Sequence, residues 1–346
     1  MPEAKASDLH IAVGQRPKYR IHGEVIVINE HAVMDKAMSE EYLFEIMSSD
    51  QRHKYLEHLD LDFSYSIPGK GRYRCNYFTQ RNGYGAVFRL IPSKISTLEE
   101  LKLPVVLKSL CELRSGMVLV TGPTGSGKST TLAAMVNYIN RNQHRHILTI
   151  EDPVEFVHQN DKSVITHREV GTHTESFTSA LRAATRQDAD VVLVGDMRDI
   201  ETIGLALSAA AMGMLVYGTL HTNSAPKTID RVIDAFPSKQ QAQVRTMLAE
   251  SLKGIVAQQL LRIKGHNGRV AANEILLGSS AVSNIIREGK METLINVIQS
   301  GRKDGMVAMD DALEALLKSG TVDAEDAYMK AIEKKRFQPY LEEATT

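Results

Sequence analysis

The alternation of hydrophobic and polar positions changes character near residue 110. Before that point, period-2 patterning predicts strands over residues 8–13 and 18–27, around a Gly14-Gln15-Arg16-Pro17 turn. Two charged, amphipathic helices are expected over 39–47 and 50–58. Alternation returns at 61–66, 72–79 and 84–91, three strands joined by short turns, which predicts an antiparallel sheet with helices on one face. Residues 92–104, a proline at each end, break the pattern and read as a hinge. Beyond it, apolar runs at 117–121, 146–150, 191–195 and 215–220 alternate with helical periodicity at 132–139, 176–184 and 200–211. Continuous apolar strands separated by helices predict a parallel sheet covered on both faces, with ligands beyond its carboxyl edge. One more strand is expected over 269–277, followed by helices through 334. The expected class is α/β in two domains, 1–92 and 110–346, with a linker at 93–109.

Composition adds little to this picture. The chain has 346 residues, 43% hydrophobic and 24% charged, ordinary values for a globular protein. A net charge of -1 gives no long-range pull toward nucleic acid or anionic membrane, so no nucleic-acid partner is expected. Cys75 and Cys111 are too few and too far apart for a Cys₄ metal site and fit a reducing compartment. With neither a spanning segment of ~18 apolar residues nor an apolar leader, the expected location is the cytoplasm.

The chemistry is carried by Gly122-Pro123-Thr124-Gly125-Ser126-Gly127-Lys128-Ser129-Thr130, between the strand at 117–121 and a helix. A triphosphate needs many N–H donors aimed at one point, and only a chain with little side-chain bulk wraps that closely. Lys128 supplies a point charge to the β- and γ-phosphates, and Ser129 a hydroxyl to Mg²⁺. The chain is expected to bind ATP with Mg²⁺. Asp196, after the apolar run 191–194, has two readings: a second Mg²⁺ contact, or the cap of the next helix. Glu151, Asp152 and Glu155 crowd three carboxylates at one strand end. One of them can orient the attacking water, or all three form a solvated acidic turn. His221 ends the strand 215–220 on the same sheet edge, as a γ-phosphate sensor or as a structural histidine.

Taken together, these motifs resemble the type IV pilus retraction ATPase group of the secretion ATPase superfamily. The resemblance rests on residues 6–11 (ASDLHI), 85–92 (GAVFRLIP), 149–156 (TIEDPVEF), 194–202 (VGDMRDIET) and 218–224 (GTLHTNS), and covers most of the chain. It implies a PAS-like α/β N-terminal domain, a RecA-like P-loop ATPase core and a helical tail. It further implies a homo-oligomeric ring, usually hexameric, with ATP between the N-terminal domain of one subunit and the core of the next. Glu155 matches the family's catalytic glutamate, Asp152 its Asp-box acid and His221 its His-box histidine, while Arg74 and Arg89 are the candidates to reach the triphosphate. The implied work is retraction of the pilus, which underlies twitching motility, with a pilus inner-membrane platform protein as partner and a place at that membrane through partners only. Related pilus-assembly and type II secretion ATPases carry a Cys-x-x-Cys module and a further N-terminal domain, so two isolated cysteines place this chain on the retraction side. Residues 289–293 and 300–306 resemble segments linked to retraction, with subunit packing as the alternative. Two departures stand out: Asp196 where the family has glutamate, and Met214 where it has a second histidine. They leave open a related secretion or conjugation motor, or a weakly hydrolysing regulatory subunit.

Overall fold

The computed structural model describes residues 1, 3–4, 6–21, 23–91, 94–265 and 268–345, so Pro92 of the 85–92 motif lies outside the described residues. The chain divides into two compact units, Met1–Lys94 with Asp152–Val157, and Ile95–Glu151 with His158–Thr346.

In the first unit β1 (Asp8–Ala12), β2 (Lys18–Ile21), β3 (Glu24–Val27), β4 (Asp60–Ile67), β5 (Gly71–Gln80) and β6 (Gly83–Ile91) form one sheet, ordered β3-β2-β1-β6-β5-β4. All its strand pairings among the described residues are antiparallel. The single strand expected over 18–27 is two strands, because Gly23 takes φ +92°, a left-handed turn that glycine adopts without strain. α1 (Lys36–Glu45) and α2 (Ser49–His58) begin at side-chain caps, Asp35 and the reciprocal Ser48–Gln51 pair. Leu43, Phe44 and Tyr55 from these helices meet Phe63, Tyr73, Cys75 and Tyr77 of the sheet in one aromatic-rich core. The opposite face carries a polar row in register, Arg20, Asp8, Arg89, Arg74 and Ser64.

In the second unit α3 (Val106–Glu112) precedes β7 (Gly116–Thr121), α4 (Lys128–Asn142), β8 (His146–Glu151), β9 (Val164–Glu169), α5 (Phe177–Ala184) and β10 (Val191–Val194). Then follow α6 (Ile200–Ala211), β11 (Leu215–Leu220), α7 (Ala225–Asp234), α8 (Ser238–Ser251), β12 (Leu252–Arg262) and β13 (Arg269–Leu277). The tail is α9 (Ser280–Glu288), α10 (Leu294–Ser300), α11 (Met309–Lys318), α12 (Ala324–Lys330) and α13 (Lys334–Thr345). The sheet order is β13-β12-β7-β11-β10-β8-β9, parallel except for the edge strand β13. Each buried strand feeds two cores: Met117 and Leu119 of β7 face one, Val118 and Val120 the other. That is why these strands read as unbroken apolar runs.

The linker expected at 93–109 is corrected. From Ile95 onward this segment belongs to the second unit, and Leu98, Leu103 and Leu107 are buried in its core. The prolines at 92 and 104 disguise a short apolar lead-in as a hinge. Met291 and Met306 of the retraction-like segments, with Leu294 and Ile298 between them, are likewise buried within the chain's own core.

Candidate functional site

The loop of residues 122–127 leaves β7 and enters α4. Gly122 has φ +148°, and a Cβ there would collide with the backbone oxygen of Gln258 and with Ser126 Oγ. Gly127 caps α4 with φ +87°, and its Cβ would stand 2.8 Å from Gln258 Nε2. Both positions demand glycine, on conformation and on space. α4 therefore begins with its free N–H groups and positive dipole end at the mouth of the loop, an arrangement that favours anions.

Lys128 is held inside this cradle, its ammonium donating to the carbonyls of Gly122 (2.8 Å) and Pro123 (3.1 Å). The loop is braced from beneath by Gln258 on β12. Its Nε2 donates to the Ser126 carbonyl (2.6 Å), and its Oε1 accepts from Thr131 Oγ1 (2.8 Å). Sequence reading missed Gln258; a buried polar residue within the apolar run of β12 was the available signal. Gln258→Ala leaves the Ser126 carbonyl and the Thr131 hydroxyl without this partner in the interior. We expect a loss of about 1–3 kcal/mol of stability in denaturant titrations, with weaker nucleotide binding in parallel.

The acidic side of the site is built from the ends of β8, β10 and β11. Gly195 N–H donates to the Ile150 carbonyl (2.8 Å), Thr219 Oγ1 donates to the Gly195 carbonyl (2.6 Å), and Met197 N–H donates to the Thr219 carbonyl (3.1 Å). Asp196 is thereby pinned between its two neighbouring strands. β11 separates β10 from β7, so Asp196 stands one strand removed from the P-loop strand, with His221 at the end of the strand between. Asp196 Oδ2 lies 2.5 Å from Arg198 Nε and 3.7 Å from His221 Nε2. Its Oδ1 is buried and has no hydrogen-bond partner among the described residues. The helix-cap reading of Asp196 is corrected: α6 is capped by Asp199, which accepts from the Thr202 backbone N–H at 2.8 Å. Met214 is partly buried against the apolar core, where its carbonyl accepts from Gly116 N–H.

Glu151 ends β8 with its Cα and Cγ against Gly195. Asp152 and Glu155 fall in the segment Asp152–Val157, which groups with the first unit. Downstream this segment is anchored by His158, whose N–H donates to His167 Nε2 (3.1 Å). With Nε2 accepting, the His167 proton sits on Nδ1, 2.9 Å from Thr149 Oγ1. Burial, with His167 beside it, pushes the His158 imidazole down to about 4, so it is neutral at physiological pH. Arg74 and Arg89 stand opposite each other on β5 and β6. Arg89 Nε bonds Asp8 Oδ1 at 2.8 Å, and Arg74 Nε lies 3.6 Å from Asp62 Oδ1. The second unit thus brings together the loop 122–130, Glu151, Asp196 and His221, while Asp152, Glu155, Arg74 and Arg89 belong to the first.

A cavity of about 300 Å³ flanks the loop, lined by Thr124 and Gly125 together with Leu260, Arg262, Met329 and Lys330. Apolar walls with cationic residues beside a phosphate cradle have the chemistry of a nucleoside seat. For Mg²⁺, the Ser129 hydroxyl and the unpartnered Asp196 Oδ1 are fitting oxygen donors, since this ion keeps several waters and takes few protein ligands.

Comparison with known proteins identifies the chain's relatives. The profile of the family described as type II/IV secretion system protein matches residues 3–325. The type IV pilus retractation ATPase PilT of Pseudomonas aeruginosa is 50% identical over 326 residues, 94% of each chain. A twitching motility protein of Neisseria gonorrhoeae is 50% identical over 318 residues, 91% of this chain and 84% of that one. Among solved structures, the pilus retraction motor PilT with bound ADP superposes with a TM-score of 0.90 at 42% identity, covering 97% of this chain and 96% of that one. No helix among the described residues is long and apolar enough to cross a membrane.

Proposed function

Because the chain belongs to the type II/IV secretion system protein family, we propose that it is the Mg²⁺-dependent ATPase of a ring motor that powers type IV pilus retraction. The observation that carries this reading is the glycine-walled cradle around Lys128, with Asp196 and His221 on the adjoining strand ends. ATP lies with its phosphates on the α4 N-terminus and its nucleoside toward Leu260 and Met329. Mg²⁺, when bound through Ser129 and Asp196, neutralises phosphate charge. Glu155 accepts the proton of the attacking water, and His221 contacts the γ-phosphate side.

Turnover also needs positive charge from outside the P-loop. Arg74 and Arg89 supply it from the first unit of a neighbouring subunit, exchanging their present carboxylate partners for phosphate. The assembly is a homo-oligomer, a hexamer on this account, working in the cytoplasm against a platform protein of the pilus at the inner membrane. Domain movement driven by ATP turnover is the motor stroke.

One observation favours the alternative of a weakly hydrolysing regulatory subunit: the shorter Asp196 carboxylate has Arg198 on one oxygen. Measuring phosphate release from the parent, Asp196→Glu and Asp196→Ala at saturating Mg²⁺ separates the two. We expect Asp196→Glu to equal or exceed the parent, and Asp196→Ala to be nearly inactive while folded. Equal rates in parent and Asp196→Ala would remove Asp196 from the mechanism.

A further inference from the structure

The loop that carries His221 runs directly into α7, and that helix has no cap of its own. Ser224, at the cap position, makes no side-chain hydrogen bond to the helix N-terminus. Instead the Ala225 N–H donates to Oε1 of Glu274 on β13 at 2.7 Å. α11 also lacks a side-chain cap, with Ala308 at its cap position, and its lead-in is held to the same strand: Ile275, next to Glu274, exchanges backbone hydrogen bonds of 2.8 and 3.1 Å with Val307. One buried carboxylate, 2% exposed, therefore caps α7 from the strand that also holds the lead-in to α11. Burial pushes this carboxyl up against the pull of the Ala225 N–H, with nearby Asp310 adding to the rise. A local side-chain cap would serve α7 without burying a carboxylate so deeply.

The second contact lies three residues into α7. Thr228 Oγ1 lies 2.7 Å from the Ser224 carbonyl, 2.7 Å from Thr222 Oγ1 and 3.4 Å from Thr121 Oγ1. A hydroxyl has one proton and two acceptor sites. Thr228 directs its one proton between the Ser224 carbonyl and Thr121 Oγ1, and so accepts from Thr222 Oγ1. Thr121 is the last residue of β7 before Gly122, and Thr222 directly follows His221. Thr121 and Thr228 are both fully buried. The strand register explains the spacing: Glu274 pairs with Ala257, and Ala257 with Thr121, so both anchor points share one sheet face across a residue with only a methyl side chain. α7 is thus tied at one end to the strand feeding the P-loop and to the strand that holds α11.

We propose that Thr228 and Glu274 are positioning residues for hydrolysis. Acting through α7, they fix the His221 loop relative to the P-loop, and they do not touch the nucleotide themselves. This rests on the reading of His221 given above. Thr228 sets the distance between the two phosphate-facing loops; Glu274 makes that setting depend on the C-terminal helices through α11.

The test compares His221→Ala, Thr228→Val, Thr228→Ser and Glu274→Gln in the full chain. It reads kcat, KM for ATP, affinity for a fluorescent ADP analogue, and melting temperature. Thr228→Val keeps the shape and removes the hydroxyl, whereas Glu274→Gln turns one acceptor into a donor facing a backbone N–H. Both are expected to lower kcat by roughly tenfold or more, with KM and ADP affinity near parental values, because small misplacements of a catalytic loop cost rate more than binding. Thr228→Ser should restore turnover. If His221→Ala is impaired while Thr228→Val turns over like the parent, the positioning role is wrong and the His221 reading survives. Parental turnover in His221→Ala overturns that reading and the proposal with it. Equal losses of ADP affinity and kcat in Thr228→Val, unrepaired by Thr228→Ser, also overturn the proposal, by making Thr228 part of the general fold.

Discussion

Lys128→Ala is expected to abolish ATP hydrolysis, with a fall of more than about 10³-fold in kcat and much weaker nucleotide binding. On the proposed reading Lys128 neutralises β- and γ-phosphate charge; it sits 9% exposed within a cage of loop carbonyls. Removing it takes away the cation and also the tie across the loop. The fold should persist, because the β7 and α4 cores are built from Val118, Leu119, Leu132 and Met135, not from the loop. Phosphate release and equilibrium binding of labelled ATP check this. Near-parental turnover would mean that the loop is not the triphosphate site.

Glu155→Gln should separate binding from chemistry. If Glu155 takes the proton of the attacking water, the amide keeps the shape and loses the base, so turnover should fall by ~10² or more while ATP affinity stays. A variant that loses both together would make Glu155 a structural carboxylate of its turn. The same comparison made with Asp152→Asn would show which acid of the cluster carries the role.

Much of this site was legible in the sequence because its motifs are local. The P-loop is contiguous, and its glycines mark conformations and clearances that only glycine meets, as Gly122 and Gly127 show. Asp196 and His221 were found because both end apolar strands of one parallel sheet. What escaped was set by long-range contact. Gln258 lies far along the chain from Ser126, and β12 begins at Leu252 directly after α8 with no turn residue to announce it. β9 was missed because Val164–Glu169 is short and mixed in polarity, as an edge strand can be. The linker was overdrawn since prolines outweighed three spaced leucines that pack inward. The grouping of Asp152–Val157 with the first unit has no local signature, because it depends on which residues that segment touches. Nor does the cap that Glu274 of β13 supplies to α7, 49 residues away in the chain at Ala225.

The central claim is that this chain hydrolyses ATP in a ring. Steady-state phosphate release by the purified chain, measured with Mg²⁺ and with chelator across a range of protein concentrations, tests it most directly. The account predicts release that requires Mg²⁺ and rises per subunit as assembly proceeds, because on the proposed reading Arg74 and Arg89 act on the ATP of a neighbour. Tight nucleotide binding with no phosphate release under any assembling condition, in both the parent and Asp196→Glu, would contradict it.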